Sequence, residues 1–69
     1  MKLTEEQMCH IENILFGGEN MHTQTARIMA YLGVPNISDA GYQIEAVCTT
    51  PCKSGYWKTT RILRALNSL

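Results

Sequence analysis

After Glu45 the chain contains no aspartate or glutamate. Residues 46–69 hold Lys53, Lys58, Arg61 and Arg64, a local charge of +4. Residues 1–45 hold Lys2 and Arg27 against Glu5, Glu6, Glu12, Glu19, Asp39 and Glu45, a local charge of −4. The formal net charge of zero therefore hides a division into an acidic part and an anion-seeking end. A nucleic-acid-binding domain is often basic throughout, and this chain is not.

Other absences narrow the class. No apolar run approaches the ~20 residues that a membrane-spanning helix needs. The start, MKLTEEQM, has one lysine followed by two glutamates, which is not the pattern of a signal peptide. A cytoplasmic location without membrane association is the expectation. Cysteine is scarce and odd in number: Cys9, Cys48 and Cys52. A secreted disulfide scaffold uses more cysteines in even sets, so free thiols are expected, serving as small apolar residues. Gly17-Gly18 is not followed by Lys-Ser/Thr, which excludes a phosphate-binding loop. Repeats, low-complexity segments and long linkers are all missing.

What is present fits one small folded domain over residues 1–69. Hydrophobic residues make up 45% and charged residues 17%, a globular rather than disordered composition. At 69 residues the core is thin and stability marginal. So short a chain leaves little room for a substrate pocket, and no enzymatic role is expected. Cys9, His10, His22, Cys48 and Cys52 are the residue types that ligate zinc. Their spacing is loose, and the adjacent Cys9 and His10 point to different sides of a helix. Neither a metal nor another cofactor is expected.

The first helix has the clearest start. In Leu3-Thr4-Glu5-Glu6-Gln7-Met8, Thr4 and Gln7 form a capping box, and Leu3 and Met8 occupy the staple positions around it. Glu5 and Glu6 face the positive end of the helix dipole. Met8, Ile11, Ile14 and Leu15 supply the buried stripe, and Gly17-Gly18 ends it. A second helix is predicted from a Thr23 cap to Leu32, with Ala26, Met29, Ala30 and Leu32 inward and Ile28 on the flank. Gly33 and Pro35 stop it. Residues 36–51 carry two signals. Ser38-Asp39 can cap a helix over 39–48, with Ile37 and Tyr42 as its staple. Tyr42, Ile44, Ala46 and Cys48 also alternate as in a strand. Gly41 weakens both readings, and the helix is favoured.

The last helix is predicted from about Ser54 to Asn67. At about 100° per residue, Thr59, Ile62, Leu63 and Leu66 share one sector, with Tyr56 at its edge, and form the core side. Trp57, Arg61 and Arg64 lie opposite, joined by Lys53 if the helix begins early and flanked by Thr60. Arginine pairs with phosphates and guanine edges, and tryptophan stacks on bases. Hydroxyl groups and free amides near a helix start suit phosphate oxygens. The plainer alternative has Trp57 packed inside and the cations solvated.

The stretch MHTQTARIMAYLGVP followed by KSGYWKTTRILRALNSL resembles the second and third helices of a winged-helix, or helix-turn-helix, DNA-binding domain. In that superfamily a threonine-started helix ending in Leu-Gly leads to a helix with a Ser/Thr–Arg–Leu–Leu type pattern. Thr59, Thr60, Arg61, Ile62, Leu63 and Leu66 meet it here, and TEEQMCHIENILFGG fits the leading helix. The chain also resembles the small helical modules at the ends of phage-type replication proteins. The resemblance implies a mainly α domain of three to four helices, with at most a short β-hairpin around 40–50. Two departures accompany it. Twenty residues separate Gly33 from Ser54, where a usual helix-turn-helix has about three or four. A β-wing would have to come from residues 40–50.

The function that follows is that of a small DNA-binding regulator of phage or bacterial type. Lys53, Ser54, Trp57, Lys58, Thr60, Arg61 and Arg64 are its expected contacts with double-stranded DNA. One such helix has a small footprint, so a homodimer with half-sites in successive major grooves is expected. The alternative is a protein-interaction module or inhibitor. Its acidic part, through Glu5, Glu12, Glu19 and Glu45, would meet a basic partner, and Trp57 and Arg61 would anchor the interface.

Overall fold

Thr4 Oγ1 accepts from the Gln7 backbone N–H at 3.1 Å, and Gln7 Oε1 accepts from the Thr4 N–H at 2.9 Å. The capping box expected from the sequence is thus present in the computed structural model, which describes residues 1–50 and 55–69, with side chains for 1–50 and 58–69. Helix α1 (Glu5–Leu15) follows it. Leu3 and Ile11 are buried, and Met8, Ile14 and Leu15 are half-buried. The helix closes at Phe16, and Gly18 takes a positive φ of 80° just beyond.

Helix α2 (Met21–Leu32) starts earlier than the sequence suggested. Its N-cap is Asn20, whose Oδ1 accepts from the Thr23 N–H at 2.9 Å. Asn caps at least as well as Thr, so Thr23 becomes part of the first turn. The inward face also differs. Gln24, Thr25, Ile28 and Met29 are buried, whereas Ala26 and Ala30 are exposed. An alanine methyl gains little from burial compared with an isoleucine, so Ile28 and Met29 set the rotation. Two polar residues come inside with them because both are satisfied. Thr25 Oγ1 donates to Met21 O at 2.7 Å, and Gln24 Nε2 donates to Leu15 O at 3.2 Å, closing the end of α1. Gly33 ends α2 at φ 70°, as expected of a left-handed cap.

Residues 40–49 form helix rather than hairpin, and no strand occurs among the described residues. Helix α3 (Asp39–Thr49) is capped by Ser38, whose Oγ accepts from the Gly41 N–H at 3.0 Å and donates to Pro35 O at 2.6 Å. Gly41, Ile44 and Cys48 are buried at helical spacing, while Tyr42 and Ala46 are exposed, which splits the alternating set. The glycine that weakened the helical reading has a packing reason. A Cβ at Gly41 would lie 2.2 Å from Pro35 O and 3.0 Å from Asn36 backbone atoms. The expected Ile37–Tyr42 staple is absent: Ile37 is 80% and Tyr42 60% exposed. Backbone packing of Pro35 and Asn36 on Gly41 closes this turn instead.

Helix α4 (Gly55–Asn67) buries Thr59, Ile62 and Leu66 and half-buries Leu63, the face read from the sequence. The proposed Ser54 cap lies outside the described residues. Asn67 Oδ1 accepts from the Leu3 N–H at 2.8 Å and joins the two ends of the described chain.

The four helices among the described residues close a ring: α1 packs on α2 and α4, and α3 packs on the same two. Each contributes one fully buried isoleucine, Ile11, Ile28, Ile44 and Ile62, with Leu66 beside them. Burying a side chain of this size contributes roughly 1.5–3 kcal/mol, so these five dominate a small core. The radius of gyration of 10.8 Å is close to the ~11 Å of a compact chain this long. The fold is a mainly α domain. None of its described helices is long and apolar enough to cross a membrane.

Candidate nucleic-acid interface

The outward side of α4 follows from its inward side. With Thr59, Ile62 and Leu66 in the core, positions 58, 60, 61 and 64 are left at the boundary and beyond. Arg64 is exposed, and Lys58, Thr60 and Arg61 are half-buried. Thr59 is buried, so its hydroxyl cannot reach a phosphate. Lys53 and Ser54 lie outside the described residues, and the side chain of Trp57 is likewise not described.

The four described side chains are not equivalent. Arg61 Nη2 donates to the Thr50 carbonyl at 3.1 Å, and Thr50 is the C-cap of α3. A cation there satisfies one free carbonyl and meets the negative end of the α3 dipole. Arg61 Nε is buried and has no hydrogen-bond partner among the described residues. This guanidinium is therefore partly committed to holding α4 against α3. Lys58 sits in the same region, one turn earlier.

Both cations act on Cys48. Burial pushes the Cys48 thiol up from its ordinary value; a hydrogen bond with Thr25 and the charges of Lys58 and Arg61 pull the other way without prevailing. Cys48 is thus a buried neutral thiol at the junction of α2, α3 and α4. Cys9 is free and exposed on α1. His10 stacks on Tyr31 of α2, ring centroids 3.8 Å apart and planes 11° from parallel, a contact that adjacent placement of Cys9 and His10 did not suggest. Among the described residues no three His, Cys, Asp or Glu side chains converge as a metal site.

The remaining charges divide simply. Arg27 is taken by Glu19 in a two-point pair, Nε to Oε1 at 2.5 Å and Nη2 to Oε2 at 2.9 Å. The hydrogen bond with Arg27 lowers the Glu19 carboxyl below its ordinary value and raises Arg27 in turn. No other ion pair forms among the described residues. Arg64 and Lys2 are thus exposed cations without an acid partner among those residues. On the acidic part, Glu5, Glu12 and Glu45 are exposed.

The arrangement anchors α4 by its core face and by the bond from Arg61 to Thr50. Sequence reasoning found its inward side; of the residues expected outward, Arg64 is exposed and Arg61 is half-buried. It missed the bond from Arg61 to Thr50, which carries no local signal because the partner is a backbone carbonyl eleven residues away. It missed the role of Gln24 for a similar reason. No family model matches this chain, and no curated protein or solved structure matches it.

Proposed function

We propose that this chain is a small regulator that binds double-stranded DNA through the outward face of α4. Lys58, Thr60 and Arg64 make the contacts, the sequence adds Lys53, Ser54 and Trp57 as expected contacts, and Arg61 fixes the helix on α3 while its charge adds to the field. The carrying observation is the division of α4: an apolar side sunk in the core, and an opposite side with no acid and with Arg64 exposed and unpaired among the described residues. A helix held in this way can enter a major groove with its cations on phosphates or base edges. Two copies reading adjacent half-sites would supply the footprint that one lacks.

A second reading, a protein-interaction module, draws support from a different place. Ile37 and Tyr42 are 80% and 60% exposed at the start of α3, and large exposed apolar side chains mark contact surfaces when they cluster.

Duplex binding measured at two salt concentrations tests the first reading. Each phosphate contact contributes about 0.9 to the slope of log affinity against log salt, so Lys58→Ala/Arg64→Ala should flatten that slope by about 1.8. No binding to any duplex at low salt rejects it.

A further inference from the structure

We propose that the exposed corner at the start of α3 is a docking surface for the basic α4 face of a second copy of this chain. The corner consists of Ile37, Asp39, Tyr42 and Glu45. All four side chains are exposed, and Ile37 and Tyr42 are among the most exposed large apolar residues described. Asp39, Tyr42 and Glu45 are spaced three apart along α3, so they form one row on its surface, with Ile37 just before the Ser38 cap. At the base of the corner, Gly41 brings α3 into direct backbone contact with Pro35 and Asn36.

Charge selects the occupant. Residues 28–52 contain no lysine, arginine or histidine, so the corner presents two carboxylates and two large apolar groups with no local cation. Symmetric pairing of two such corners would bring four carboxylates together, which is destabilising. The complement must be cationic, and the chain carries it: four cations and no acid in residues 46–69. Neither Asp39, Glu45, Lys58 nor Arg64 has an ion-pair partner among the described residues. The zero net charge removes the repulsion that keeps many small proteins apart. Contact between unlike faces is heterologous and grows as an open chain unless its rotation closes, so mass should rise continuously with concentration. Because Arg64 also serves the DNA reading, duplex and second copy compete for it. The inference does not depend on that reading and is tested without nucleic acid.

Sedimentation of the whole chain over a wide concentration range, at low and high salt, gives the test. The weight-average mass should climb above 7.8 kDa at low salt and fall back toward it at high salt. Glu45→Lys and Arg64→Glu should each weaken association roughly tenfold, about 1.4 kcal/mol, and the double exchange should restore it. Ile37→Ser/Tyr42→Ala should weaken it as well. Glu12→Lys, which makes the same change in net charge on α1, should leave it intact. All these positions are exposed, and circular dichroism verifies that each variant is folded. A strictly monomeric chain at low salt overturns the proposal. So does association that Glu12→Lys weakens equally, or that the corner variants do not touch.

Discussion

Arg61 of α4 donates to the carbonyl of Thr50, the residue that ends α3, at 3.1 Å. The arginine at the centre of the basic face is therefore also a tie between two helices. Replacing it removes a charge-assisted bond at a helix C-terminus, an effect of about 1 kcal/mol at a partly exposed site. Arg61→Ala should lower the melting temperature by about 4–8 °C. Arg61→Lys, which keeps the charge but not the planar fork, should fall between. An unchanged melting temperature in Arg61→Ala would show that the tie contributes nothing.

Gly41 gives a larger effect. A methyl group there meets Pro35 O at 2.2 Å, and the obstacle is backbone that cannot swing aside. Gly41→Ala should destabilise by about 2–3 kcal/mol, as overpacking does, although alanine favours helix by itself. Chemical denaturation of the variant measures this, and a stabilised Gly41→Ala would refute the packing account.

Gln24 is buried and closes α1 through Leu15 O. Gln24→Leu keeps the volume and leaves that carbonyl without its donor, at a cost of about 1–2 kcal/mol. Amide exchange should quicken in the last turn of α1 before it does elsewhere. Uniform protection in the variant would count against this role.

Burial holds the Cys48 thiol neutral and raises its ionisation above the ordinary value. The unfolded chain ionises that thiol near pH 8.5, so above this pH the unfolded state sheds the proton first and is favoured. The contribution of Cys48 is whole below about pH 8.5 and is lost as pH rises toward the folded-state value. The stability of the wild type relative to Cys48→Val should fall between pH 7 and pH 10 in denaturant titrations. A constant difference would contradict it. In the native protein the exposed Cys9 should react with a thiol reagent well before Cys48 does.

Much of this architecture is written locally in the chain. The Thr4–Gln7 box, the Gly33 stop, the Ser38 cap and the Thr59–Ile62–Leu66 face all rest on neighbours within a turn or two, and each is found in the structure. The departures have non-local or competing causes. Asn20 outbids Thr23 as a cap, and Ile28 rather than the alanines orients α2. Gly41 reads as a weakness until Pro35 is seen against it. At the candidate site, periodicity alone identifies the buried side of α4 and leaves Arg64 exposed. It cannot foresee that Arg61 reaches Thr50, because that contact exists only once α3 and α4 are packed.

A titration of isotopically labelled protein with a short duplex at low salt, followed residue by residue by nuclear magnetic resonance, decides whether α4 is the DNA-binding element. Binding through α4 predicts shifts centred on Lys58, Thr60 and Arg64 that fade as salt is added. An undisturbed α4, with shifts absent or confined to the Ile37–Tyr42 corner, would contradict it.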